Sequence, residues 1–256
     1  MTPDLLYALV NDTLREARGR KLVVALFAQS ALSVAALAWM AHGSAGLSLQ
    51  PPAALALLRE GLLRSVLFLY FWQLFAAALL TTPLLGSCLQ RGRIEYLLAR
   101  PVARWRLLLG RLIGCLCVLA LNFVLVFGGS SLVLGLGSGI WIPSLLWAVP
   151  ATLLAAGVLL SASLLVVITV RSTALAGFAA CALLAASLLA SPEPLLRASL
   201  SPAATAILPR FYGMCLGLRD LMHGSPSWHW QEFAVSAAMA ILCTTAALLI
   251  FEKQDC

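Results

Sequence analysis

Six stretches of this chain, at about 22–40, 65–87, 112–136, 145–170, 174–190 and 233–251, contain no charged residue. Each approaches the roughly 20 apolar residues that one helix needs to cross a bilayer. Hydrocarbon offers a backbone no hydrogen-bond partners, so segments of this kind must satisfy their amides internally, as helices do. The expected fold class is therefore all-α: a polytopic membrane protein of six transmembrane helices, forming a single transmembrane domain over residues 1–256.

The rest of the composition agrees. Only 11% of residues are charged and 62% are hydrophobic, whereas a soluble domain carries about a quarter charged residues to face water. The formal net charge is +7, but the basic residues sit mainly at the ends of the apolar runs. No basic face interleaved with aromatics accompanies them, which argues against nucleic acid as a partner.

Their distribution sets an orientation. With the start of the chain inside, the inner segments hold twelve basic residues: Arg15, Arg18, Arg20, Lys21, Arg91, Arg93, Arg100, Arg104, Arg106, Arg111, Arg171 and Lys253. The outer segments hold five: Arg59, Arg64, Arg197, Arg210 and Arg219. Basic residues favour the cytoplasmic side, so both termini are expected there. Phe211, Tyr212, Trp228 and Trp230 then fall at an outer interfacial belt.

Residues 3–20 are too polar to span. Leu6, Val10 and Leu14 recur every four residues, while Asp12, Arg15, Glu16 and Arg18 fall largely on other faces. This predicts a short amphipathic helix lying on the inner membrane surface. The run from Leu22 superficially resembles a signal peptide, but its length and the segment before it favour a retained span. Residues 41–61 read as a polar connection containing Pro51 and Pro52. The outer connection 191–231 is cut by Pro192, Pro194, Pro202, Pro209 and Pro226, yet keeps apolar pieces suited either to short helices in the outer leaflet or to a surface loop.

Catalytic chemistry has no visible basis. There is no GxxxxGK[ST] phosphate loop, so the chain is not expected to hydrolyse ATP. His42, His223 and His229 accompany no clustered Cys or carboxylate, and a metal site needs three or four converging ligands. The seven cysteines form no CxxC and read as apolar filler. Within the spans only mild polar groups occur, among them Gln29, Gln73, Thr81, Thr82 and Asn122. Hydrogen bonding between helices is the simpler role for these than substrate binding. No substrate-binding residue, metal ligand or cofactor site is assigned.

The most informative segment is QRGRIEYLLARPVARWRLLLGR, residues 90–111. Ile94, Leu97, Leu98, Val102, Trp105 and Leu108 give it an apolar stripe interrupted at Pro101. Proline there biases Arg100 away from helix, which predicts two short helices meeting at a corner. Arginines in such a place also serve simply to grip lipid headgroups; the ordered pattern is what sets this segment apart.

That pattern, Arg91-Gly92-Arg93-Ile94-Glu95-Tyr96-Leu97-Leu98-Ala99-Arg100-Pro101-Val102-Ala103-Arg104 and on through Leu109-Gly110-Arg111, resembles the transmembrane subunit of type-2 ABC exporters. The family often shows a Gly-Thr-Leu-Glu-like entry, a leucine pair, a basic-Pro-Val-Ser-Arg turn and a Leu-Gly-Lys exit. The opening Thr13-Leu14-Arg15-Glu16 with Arg18, Arg20 and Lys21, and the tail Phe251-Glu252-Lys253-Gln254-Asp255, are also similar. The chain departs from the pattern at Gln90 and Arg91, where acidic residues usually precede the glycine, and at Arg93, where threonine is common.

The resemblance implies a permease subunit that pairs with a second one, identical or homologous, and with a separate cytoplasmic ABC ATPase carrying the ATP and Mg. It implies a bacterial inner membrane location. It makes 90–104 the cytoplasmic coupling segment between spans two and three, with Arg91, Arg93, Glu95, Arg100 and Arg104 as docking contacts and Gly92 and Pro101 shaping the loop. Two other classes fit the residues alone: a membrane scaffold or assembly factor, and a stand-alone carrier or channel. The second is disfavoured, because carriers place protonatable groups within their spans.

Overall fold

Leucine, alanine and valine dominate the apolar runs, and in the computed structural model these runs are helical. The structure describes residues 3–19, 21–44, 52–86, 104–138, 141–189, 208–222 and 230–253, and no strand occurs among them. The all-α expectation holds. Five segments are long and apolar enough to cross a membrane: Val23–Met40, Leu67–Gly86, Trp105–Gly137, Pro143–Val170 and Trp230–Lys253. Thr173–Leu189 is a shorter apolar helix. The chain has the make-up of an integral membrane protein.

In order, the helices are α1 (Pro3–Gly19), α2 (Lys21–Ser44), α3 (Pro52–Gly86), α4 (Arg104–Phe123), α5 (Gly129–Ser138), α6 (Ala148–Val170), α7 (Thr173–Leu189), α8 (Phe211–Met222) and α9 (Trp230–Lys253). A π-helical segment, Val124–Gly128, joins α4 to α5, and a 3-10 turn, Pro143–Trp147, leads into α6.

Two elements run past their expected bounds: α2 continues to Ser44, into the connection expected at 41–61, and the larger change is at α3. Helix α3 starts at Pro52, well before the expected span at about 65, and takes in part of the predicted polar connection. Proline suits a first helical turn because its missing N–H would be unpaired there anyway. The Ala- and Leu-rich stretch that follows has high helix propensity. Arg64 and Glu60 pair across one turn at 3.3 Å, but both are too exposed for the pair to add much stability. Pro83 lies inside the same helix. Just before it, the Thr81 and Thr82 hydroxyls donate to the carbonyls of Ala77 and Ala78.

Helix α6 is the central post, in contact with α3, α4, α7 and α9. It carries no charge, and it buries Ala148, Ala151, Ala155 and Ala156. Small side chains let neighbouring backbones approach closely, which is how helices bind one another in lipid. The hydroxyls of Thr152, Ser161 and Ser163 donate to α6's own carbonyls, so its polar atoms need no outside partner. At the periphery, α2 leaves Leu32 and Trp39 exposed, and α9 leaves Ile241, Leu242 and Leu249 exposed. Such faces suit lipid or a second subunit.

The ends of the helices sort by charge. Leu108 of α4, Leu164 and Ile168 of α6, and Ala247 and Phe251 of α9 form one apolar cluster. A Cβ on Gly86 would lie 2.0 Å from Thr173 Cγ2, so α3 ends where α7 begins. The turn between α6 and α7 is closed by Arg171 in the left-handed conformation (φ 56°), its N–H donating to Val167 O at 2.9 Å. Arg106, Arg111, Arg171 and Lys253 therefore share one end with α1. Arg210 and Arg219 belong to the opposite end, where α8 and the start of α9 meet.

Candidate functional site

The basic segment 87–103 separates α3 from α4, and Arg91, Gly92, Arg93, Glu95, Arg100 and Pro101 lie outside the described residues. Arg104 opens α4, but its side chain too lies outside them. From Trp105 onward the exit of the segment is helical. The Arg106 guanidinium sits 5.3 Å from the Trp105 ring centroid, within cation–π range.

The best-defined polar site lies one turn further along α4. Arg111 is 7% exposed, and it reaches across to α1. Its Nη2 donates to the Glu16 carboxylate, and its Nη1 donates to Thr13 Oγ1 at 3.3 Å. Asp12 Oδ2 lies 4.0 Å away on the exposed rim. The pattern of α1 explains which face it offers. Thr13 and Ala17 are buried against α4 with Leu14 beside them, while Asp12, Arg15 and Arg18 face outward. Close approach needs glycine: a Cβ on Gly114 would lie 2.6 Å from Thr13 Cβ.

An arginine and a carboxylate removed from water together are costly to separate, because either one alone is a buried charge without its best counter-ion. The junction therefore acts as a clamp, tying the amphipathic helix α1 to the first turns of α4 immediately after the basic segment. Reading the sequence identified α1 and the segment but not the clamp between them. The signal for it was Gly110-x-x-x-Gly114 with Arg111 inside, since paired glycines at this spacing mark close helix contact.

A second polar cluster lies deep in the apolar region. Ser30 Oγ of α2 donates to Gln73 Oε1 of α3 at 3.2 Å, and Asn122 Nδ2 of α4 donates to the same oxygen at 3.1 Å. All three side chains are fully buried. Here the mild polar groups do link neighbouring helices.

At the opposite end, α8 is seated against α3, α6, α7 and α9. The Phe211 N–H donates to Ser187 Oγ of α7 at 3.1 Å, and Arg210 pairs with Glu232 at 3.2 Å. Tyr212 stacks on Phe71 of α3 at 6.5 Å between centroids. Burial pushes the Cys215 thiol up to about 12, with Arg219 opposing the shift in part. No group of three or more His, Cys, Asp or Glu able to hold a metal occurs among the described residues.

No protein-family model matches the sequence, and no curated protein matches it.

Proposed function

We propose that this chain is the membrane-spanning permease subunit of an ATP-driven ABC exporter of the type-2 kind, coupled to a separate ATPase at the cytoplasmic side. The observation that carries the reading is the clamp at one charged end: Arg111 holds α1 on α4 directly after the arginine-rich segment 90–104. A partner that pushed on that segment would move α1 and α4 together as one body.

In this reading the five long helices and α7 make six spans. At 17 residues, α7 is about 25 Å long at 1.5 Å per residue, slightly short of a 30 Å hydrocarbon core. A modest local thinning of the bilayer accommodates that difference. The charged end faces the cytoplasm of a bacterial inner membrane, as the excess of basic residues there favours. Two such subunits form the pathway, each with its ATPase. Arg91, Arg93, Glu95, Arg100 and Arg104 contact that partner, and Gly92 and Pro101 shape the loop. ATP and Mg belong to the ATPase, not to this chain. Its closure on nucleotide favours one of two arrangements of the helices, which is alternating access driven by a partner that binds them unequally.

The direct test is site-specific photo-crosslinking in native membranes, with a benzophenone side chain in place of Glu95 or Arg104. The expected adduct is a phosphate-loop ATPase, with a yield that changes on adding ATP. Adducts confined to lipid, or to a protein without a nucleotide site, would contradict the proposal and favour a scaffold.

A further inference from the structure

The bonds among Ser30, Gln73 and Asn122 leave two atoms over. Gln73 Nε2 and Asn122 Oδ1 are both buried without a hydrogen-bond partner. The imbalance does not depend on how the two amides are turned. Rotating both by half a turn lets Gln73 Nε2 donate to Asn122 and Ser30, but then strands Gln73 Oε1 and Asn122 Nδ2. Rotating only one sets two donors or two acceptors against each other. In every workable arrangement, one donor and one acceptor on adjacent side chains remain unpaired.

Their depth makes this costly. Ser30 lies nine residues beyond Lys21, and Asn122 eleven beyond Arg111. At 1.5 Å per residue that is about 14 and 16 Å from the charged end, near the middle of a 30 Å hydrocarbon core. An unpaired amide atom costs several kcal/mol in such a medium, and lipid tails cannot supply the missing bond. The helix itself also departs from regularity here. The π-helical segment begins at Val124, two residues after Asn122, and π segments within α-helices gather at functional sites.

We infer that Ser30, Gln73 and Asn122 form an uncharged binding site for a small group that both accepts and donates a hydrogen bond, a water molecule or a hydroxyl. The group accepts from the free amide N–H and donates to the free amide oxygen, closing the cluster across α2, α3 and α4. Among the described residues no ionisable side chain hydrogen-bonds to the cluster, which suits a neutral occupant better than an ion. The inference is independent of any ATPase docking.

Solid-state NMR on the 15N-labelled full chain in perdeuterated lipid tests it, with the Gln73 side-chain resonance assigned by its loss in Gln73→Leu. With the chain also deuterated at carbon, the expected result is magnetisation transfer to the Gln73 side-chain amide from a proton not bound to nitrogen, persisting in Ser30→Ala so that the Ser30 hydroxyl is not its source. If the source protons resonate at the bulk-water frequency and have no carbon-bound neighbours, the occupant is water. If aliphatic cross-peaks accompany it, the occupant is the hydroxyl of a retained lipid or other organic molecule; both results support the site. Asn122→Leu removes one of its bonds and weakens the occupant's hold about tenfold, as the loss of roughly 1.4 kcal/mol does, which shortens its residence and weakens the transfer. A wild-type Gln73 amide that receives no transfer overturns the inference, whether or not the variants fold. Transfer that persists undiminished in folded Asn122→Leu overturns it as well.

Discussion

Arg111 is 7% exposed in the native chain, and replacing Glu16 with alanine takes away its closest carboxylate. Removing one member of a buried ion pair costs about 3–5 kcal/mol. Thr13 Oγ1 remains at 3.3 Å and Asp12 at 4.0 Å, so part of the compensation survives and the lower value applies. A loss of about 3 kcal/mol raises the equilibrium for releasing α1 from α4 roughly a hundredfold. A free helix of 17 residues is marginal, so hydrogen exchange in detergent reads the release as faster exchange at α1 amides, with α6 unchanged. The double variant Glu16→Leu, Arg111→Met removes both charges, and exchange should return to within about 1 kcal/mol of wild type. Exchange of α1 in Glu16→Ala within twofold of wild type would refute the clamp.

Three further outcomes follow from contacts elsewhere. Gly114→Ala places a Cβ 2.6 Å from Thr13 Cβ, and overpacking of this kind costs about 1–3 kcal/mol; thermal unfolding in detergent should start earlier, with α1 exchanging first. Ser187→Ala removes the acceptor of the Phe211 N–H, and a stranded buried donor costs about 1–3 kcal/mol; exchange at Phe211 should rise at least about fivefold while that of α6 stays put. Cys215 has a folded pKa of about 12, above its usual value of 9.0, because burial disfavours the thiolate. Its contribution to stability is full below about pH 8.5 and is lost as pH rises toward 12. Alkylation of Cys215 at pH 8 should be at least about a hundredfold slower in the folded protein than in denaturant, where the thiol regains its ordinary acidity.

The helical class was legible because an uncharged run of some 20 residues has almost no alternative in lipid. The start of α3 was less so. Pro51, Pro52 and Gly61 look like loop punctuation, yet helix continues through Gly61, since one glycine costs only about 1 kcal/mol in a helix. Arg111 read as one more membrane-flanking charge, because its partner Glu16 stands 95 residues away and periodicity carries no information over that distance. Gln73 and Asn122 were visible singly as mild polar groups, and Ser30 did not stand out among the serines. That three helices bring them to one point, with one donor and one acceptor to spare, is a property of packing alone. The proposed docking residues from Arg91 to Pro101 rest on sequence pattern alone, and they lie outside the described residues.

The central claim is that a cytoplasmic ATPase binds the basic segment, and purification from native membranes in mild detergent tests it most directly. A phosphate-loop ATPase should co-purify with the wild-type chain in stoichiometric amount and be lost in the charge reversal Glu95→Arg, Arg100→Glu. The variant should retain wild-type α1 exchange, because the Arg111–Glu16 clamp is untouched. If no ATPase accompanies the wild type under conditions that keep the complex intact, or if one stays bound to the reversed variant, the docking account is contradicted.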